Sequence, residues 1–85
     1  MDHSRITGRQ LAAARTLAQL SQADVADAAN VSVPTLKRME GASGAVPGMT
    51  NNVAAVVRAL EDAGIAFLAD GEVAAGPGVS LRAEA

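Results

Sequence analysis

Cysteine, tryptophan and tyrosine are missing from this 85-residue chain, and Phe67 is its only aromatic residue. Without cysteine there is no disulfide framework, no thiolate metal site and no catalytic thiol. His3 is the single histidine, and a metal site needs partners that this chain does not offer it. No apolar run approaches the length that crosses a bilayer, and the N-terminus carries no signal-peptide pattern. The chain reads as a soluble cytoplasmic protein with no membrane partner. Cations are scarce as well, with seven Lys and Arg against nine Asp and Glu, a net charge of −2. There is no nucleophile–base constellation, and so short a chain encloses little pocket. Neither catalysis nor a cofactor is expected.

What remains is a small domain with a thin core of Ala, Val and Leu, for which association of two copies is a natural supplement. The stretch Leu20 to Gly41 is its most informative part. Ser21 and Ser32 stand where helix N-caps belong, since a serine oxygen accepts from an orphan first-turn amide. Asp24, three residues after Ser21, completes a variant capping box, with Asp in place of the longer Glu or Gln. Leu20 with Val25, and Val31 with Leu36, have the spacing of a hydrophobic staple. Two capped helices so close together leave only a few linking residues, which is helix-turn-helix geometry.

Punctuation divides the rest of the chain. A polar arm over 1–7 precedes a helix from Thr7 or Gly8 to Ala18, with Leu11, Ala14, Leu17 and Ala18 on one face. Helices follow over 22–29 and 33–40, the latter closed by Gly41, and the Gly/Pro-rich loop 41–49 comes next. A further helix starts near Thr50 or Asn51, carries Val53, Val56, Val57 and Leu60 at helical spacing, and stops at Gly64. Residues 65–68 and 79–82 read as two strands around a loop holding Asp70-Gly71 and Gly76-Pro77-Gly78. An isolated hairpin is barely stable in water, so it should pack on the helices or pair with a second subunit.

The residues Leu20-Ser21-Gln22, Val25-Ala26, Asn30-Val31-Ser32 and Arg38-Met39-Glu40-Gly41 resemble the Cro and phage-repressor class of helix-turn-helix regulators, the XRE family. The resemblance covers residues 8 to 63. It departs at Asn30, where the family usually has Gly; Asn is the next best residue for a left-handed turn. The implied fold is mainly α, a compact four-helix repressor-like domain with a short C-terminal β-hairpin. Its parts would be a flexible arm (1–7), a DNA-binding domain (8–63) and a dimerisation tail (64–85).

The resemblance also implies site residues. The helix over 33–40 would enter the major groove, with Val33, Pro34, Lys37 and Arg38 facing base edges. Arg38 can fork onto guanine O6 and N7, Lys37 can reach the same acceptors or a phosphate, and Val33 and Pro34 can only touch thymine methyls or enforce shape. Gln22 and Thr35 would clamp phosphates beside the capping Ser32, and Arg5 of the arm would add a contact. Arg15 and Glu40 would form a structural ion pair between the first and third helices.

Bland readings stand beside these. Lys37 and Arg38 also fit an ordinary solvated face, and Asp24 with Asp27, or Glu61 with Asp62, fit capping and surface charges better than acid–base pairs. The glycine-rich segments lack the Lys-Ser/Thr of a phosphate loop. Charge is unevenly spread: five bases against four acids through residue 50, then two against five. The acidity therefore lies away from the reading helix, and local field governs phosphate attraction. So few cations imply weak binding by a monomer and a shallow salt dependence. The resulting expectation is a transcriptional regulator, a repressor, binding an inverted repeat of double-stranded DNA as a homodimer. The alternative is an interaction module, antitoxin- or antiactivator-like, that sequesters a regulatory protein partner.

Overall fold

A capping network, local in sequence, sets the limits of the first three helices. The computed structural model describes residues 6–42, 50–68 and 78–81. The arm with His3 and Arg5, the loop 43–49, the hairpin loop 69–77 and the residues from Arg82 onward lie outside the described residues. The described elements run in the order α1 (Gly8–Leu17), α2 (Gln22–Ala29), α3 (Val33–Glu40), α4 (Thr50–Asp62), β1 (Ile65–Leu68) and β2 (Gly78–Leu81). The fold is mainly helical with one short antiparallel hairpin.

Thr7 caps α1. Its hydroxyl accepts from the Gln10 N–H at 3.1 Å, and the Gln10 side-chain oxygen accepts from the Thr7 N–H at 2.9 Å. This reciprocal box satisfies one orphan donor of the first turn and fixes the cap residue. At the other end Gln19 turns left-handed, with φ 60. Gln19 N–H then donates to the Thr16 carbonyl and Leu20 N–H to the Arg15 carbonyl, both at 3.0 Å. That is a Schellman closure made without glycine.

The turn between α2 and α3 is built the same way. Ser21 and Asp24 exchange hydrogen bonds at 3.0 Å each. Asn30 ends α2 in the left-handed region (φ 56, ψ 44), so asparagine supplies the conformation expected of it. Ser32 then accepts from the Thr35 N–H at 3.2 Å and opens α3. Pro34 lies in the first turn, where no helical partner for its missing N–H is lost. Gly41 caps α3 with φ −76. It is right-handed, so the left-handed freedom that motivated a glycine there is not used.

Leu11 and Ala14 of α1, Val25, Ala26 and Ala29 of α2, Leu36 and Met39 of α3, and Val53, Val56, Val57 and Leu60 of α4 form one buried cluster. Ile6, Ile65 and Phe67 belong to it too. The expected apolar stripe of α4 is thus its buried face. Leu17 departs from expectation: it is 41% exposed although it shares a helical stripe with Leu11 and Ala14. The 3.6-residue period tells which residues neighbour one another on a helix, but not how far the partner elements extend over that face.

In the hairpin Ile65 pairs with Leu81, Ala66 with Ser80, Phe67 with Val79 and Leu68 with Gly78. β2 therefore begins one residue earlier than expected. Burial alternates along β1, with Ile65 and Phe67 inward and Ala66 outward, as a one-sided strand requires. β2 packs on α1 and β1 on α4. The hairpin is part of the helical core and not an appendage to it.

Candidate nucleic-acid interface

Leu36 and Met39 are 0% and 1% exposed and fasten α3 to the core. Helical periodicity then turns Pro34, Lys37 and Arg38 to the other side, and all three are exposed. Neither Lys37 nor Arg38 takes part in an ion pair with another described residue. They form a pair of adjacent, solvated cations on a helix whose position is fixed. Val33, named with them from the sequence, is instead half-buried and packs against the core cluster. That leaves less of its side chain to meet a base.

Ser32 and Thr35 sit together at the N-terminus of α3. The Ser32 hydroxyl donates to Thr35 Oγ1 at 2.8 Å while accepting from the Thr35 N–H. Thr35 Oγ1 keeps its own proton free to donate. Gln22, the first residue of α2, is half-buried, and its Nε2 donates to Glu40 Oε1 at 3.2 Å.

Arg15 and Glu40 join α1 to the last residue of α3. Arg15 Nε donates to Glu40 Oε2 at 2.8 Å and Nη2 to Oε1 at 3.1 Å, a fork on both carboxylate oxygens. Arg15 Nη1 donates to the Leu20 carbonyl at 3.1 Å, so the same guanidinium also holds the entry to α2. The side chains are 21% and 7% exposed. The hydrogen bonds to Glu40 raise the Arg15 pKa above its ordinary value. Such a pair fixes the relative placement of two helices more than it adds net stability.

Asp24 lies one turn after the cap Ser21, on the exposed side of α2. The backbone N–H of Ser21, and then its hydroxyl, hold the carboxyl below the usual carboxylate range. The cap is therefore anionic at neutral pH, which suits the positive end of the helix dipole.

Thr7-Gly8-Arg9-Gln10 carries a capping-box signature in the sequence. The link from Gln22 to Glu40, eighteen residues apart, has no sequence signature. Gly8 also packs where only glycine fits, since a Cβ there would overlap the carbonyl oxygens of Met39 and Ala42. On the outer side of α1, Ala12, Ala13, Thr16 and Leu17 line a shallow apolar groove with Val79 of β2. Among the described residues no cluster of His, Asp and Glu could hold a metal ion, and no helix is long and apolar enough to cross a membrane.

A sequence-family model described as a helix-turn-helix domain matches residues 7–64, which spans α1 to α4. No curated protein matches the chain.

Proposed function

The chain belongs to the helix-turn-helix domain family, which occurs in XRE-like regulators, and from that premise we propose that it is a sequence-specific DNA-binding repressor acting as a homodimer. The observation that carries this reading is the exposed Lys37–Arg38 pair on a helix anchored by Leu36 and Met39. In the major groove, Arg38 would read a guanine by its fork, with Lys37 on an adjacent base or phosphate. Pro34 would contribute shape, and the exposed part of Val33 a methyl contact. Gln22, Thr35 and the Ser32 end of α3 would take phosphates, their amide and hydroxyl donors being suited to that. Residues 8–63 serve as the DNA-binding part and 64–85 as the part that brings two copies together. Two such subunits would meet half-sites about one helical turn apart.

Homodimerisation has two supports. Two cations per reading helix give little non-specific affinity, so doubling the contacts matters. Leu17 and Leu81 are 41% and 46% exposed, on elements that pack against each other, and contact between copies on that side would cover them. Repression by occluding polymerase is the simplest action for a domain that reads DNA in this way.

The test is a fluorescence-anisotropy titration on DNA from upstream of the protein's own gene, at several salt concentrations, with random duplex as competitor. Tight binding that random duplex cannot displace, with a finite negative salt slope, supports the proposal. Binding no tighter than to random duplex at every salt concentration overturns it and returns the account to partner sequestration.

A further inference from the structure

Gln22 begins α2, and its amide is held. One hydrogen of Nε2 is given to Glu40 Oε1 at 3.2 Å, the oxygen that also accepts from Arg15 Nη2 at 3.1 Å. Glu40 thus joins side chains of two other helices at the end of α3, with only 7% of its own side chain exposed. A primary amide nitrogen has a second hydrogen to donate. Arg15 places Nε and Nη2 on Glu40 and Nη1 on the Leu20 carbonyl.

Resting on the DNA-binding reading above, we infer that Glu40 is a positioning residue for DNA: it orients the Gln22 amide so that its second N–H meets a backbone phosphate, while Arg15 cancels the carboxylate charge that would repel that phosphate. The charge argument decides between the partners. A bare carboxylate one hydrogen bond behind the phosphate ligand would oppose an anion at short range, where salt screens little. A forked guanidinium on the same carboxylate removes the net charge and leaves only the orienting acceptor. The ion pair therefore acts on DNA affinity through Gln22, in addition to joining helices.

The experiment is a double-mutant cycle in the full chain, read as affinity for the duplex that the wild type binds most tightly. Its variants are Gln22→Ala, the paired change Arg15→Met with Glu40→Met, and all three together. Replacing a buried ion pair by apolar residues often leaves stability unchanged or higher, so melting should show the paired variant folded. Gln22→Ala should weaken binding about tenfold, the effect of one hydrogen bond to a charged group. The paired change should weaken it by a similar factor, and Gln22→Ala should then add less than about twofold, because the two act as one unit. A full tenfold loss from Gln22→Ala in the paired background, or wild-type affinity in the paired variant, would overturn the inference. If the paired variant does not fold, Glu40→Gln replaces it, because glutamine still offers Gln22 an oxygen. Affinity within about threefold of wild type, with Gln22→Ala still costing its factor, is then expected; a loss as large as that of Gln22→Ala overturns the inference. Failure of the DNA-binding reading shows itself earlier, as a wild type that prefers no duplex, and takes this inference with it.

Discussion

Gln10 donates a side-chain hydrogen bond to the backbone carbonyl of Gly78, 68 positions further along the chain, at 3.0 Å. The same Nε2 donates to the Leu68 carbonyl at 3.1 Å, while Oε1 holds the Thr7 N–H. One side chain, 4% exposed, thereby caps α1 and joins both strands where Leu68 and Gly78 pair. Every hydrogen-bonding direction it uses is needed, because an unsatisfied buried amide would be costly.

Gln10→Leu should therefore destabilise the protein by about 2 kcal/mol, through loss of the cap and of the link to the hairpin. Gln10→Glu keeps an acceptor for Thr7 but aims a carboxylate at two carbonyl oxygens. It should be worse than leucine at neutral pH and recover in part in acid, where a protonated carboxyl can donate. Urea unfolding of both variants at pH 7 and in mild acid checks this.

Backbone fit at two positions predicts opposite signs. Gly8→Ala sets a methyl against the Met39 and Ala42 carbonyls, and should cost about 1–3 kcal/mol by overpacking. Gln19→Gly relieves a left-handed non-glycine residue at φ 60, and should be neutral or stabilising by up to about 1 kcal/mol. Thermal melts of the two variants should move apart around the wild type.

Arg38→Ala and Lys37→Ala remove exposed side chains and should change stability by less than about 0.5 kcal/mol. Operator affinity should fall in both. Arg38→Ala should also relax preference at one base pair, and a phosphate-bound Lys37 should take about one unit off the salt slope when removed. Affinity and slope unchanged in both variants would remove α3 from the interface.

Asp24 makes the cap of α2 sensitive to acid. Its carboxyl titrates below the ordinary range because it accepts from the Ser21 N–H, with the Ser21 hydroxyl beside it. A depressed folded-state pKa means that the contribution is complete above the unfolded value, about 3.9, and is lost as pH falls through the folded one. Between about pH 5 and about pH 2.5 the wild type should lose more melting temperature than Asp24→Asn, which has no carboxylate to protonate.

Leu17→Lys and Leu81→Lys test the contact between copies without touching the core. Each residue is exposed, so melting of the folded subunit should hardly change. Sedimentation mass should fall toward that of one chain, and operator affinity with it. A dimer mass retained in both variants would move the interface elsewhere, with α4 the next surface to substitute.

Much of this fold was legible because its signals are local. Ser21 with Asp24 and Ser32 with Thr35 act across three residues, Asn30 sets its own backbone angle, and the Val53–Leu60 stripe follows the helical period. The sequence by itself thus determined where the helices start and stop and which face of α4 turns inward. Lys37 and Arg38 were also visible as neighbours on one helix.

Only the tertiary structure decided how those pieces use one another. It buried Gln10 beneath the hairpin, pressed Gly8 against the end of α3, left Leu17 in solvent, drew Val33 partly into the core and tied Gln22 to Glu40. Each of these depends on which surfaces meet across the fold. Hydrogen bonds between residues 18, 58 or 68 positions apart leave no period and no spacing in the chain to read. Caps and turns are paid for within a few residues; placement of a side chain between elements is settled by packing that all the elements share.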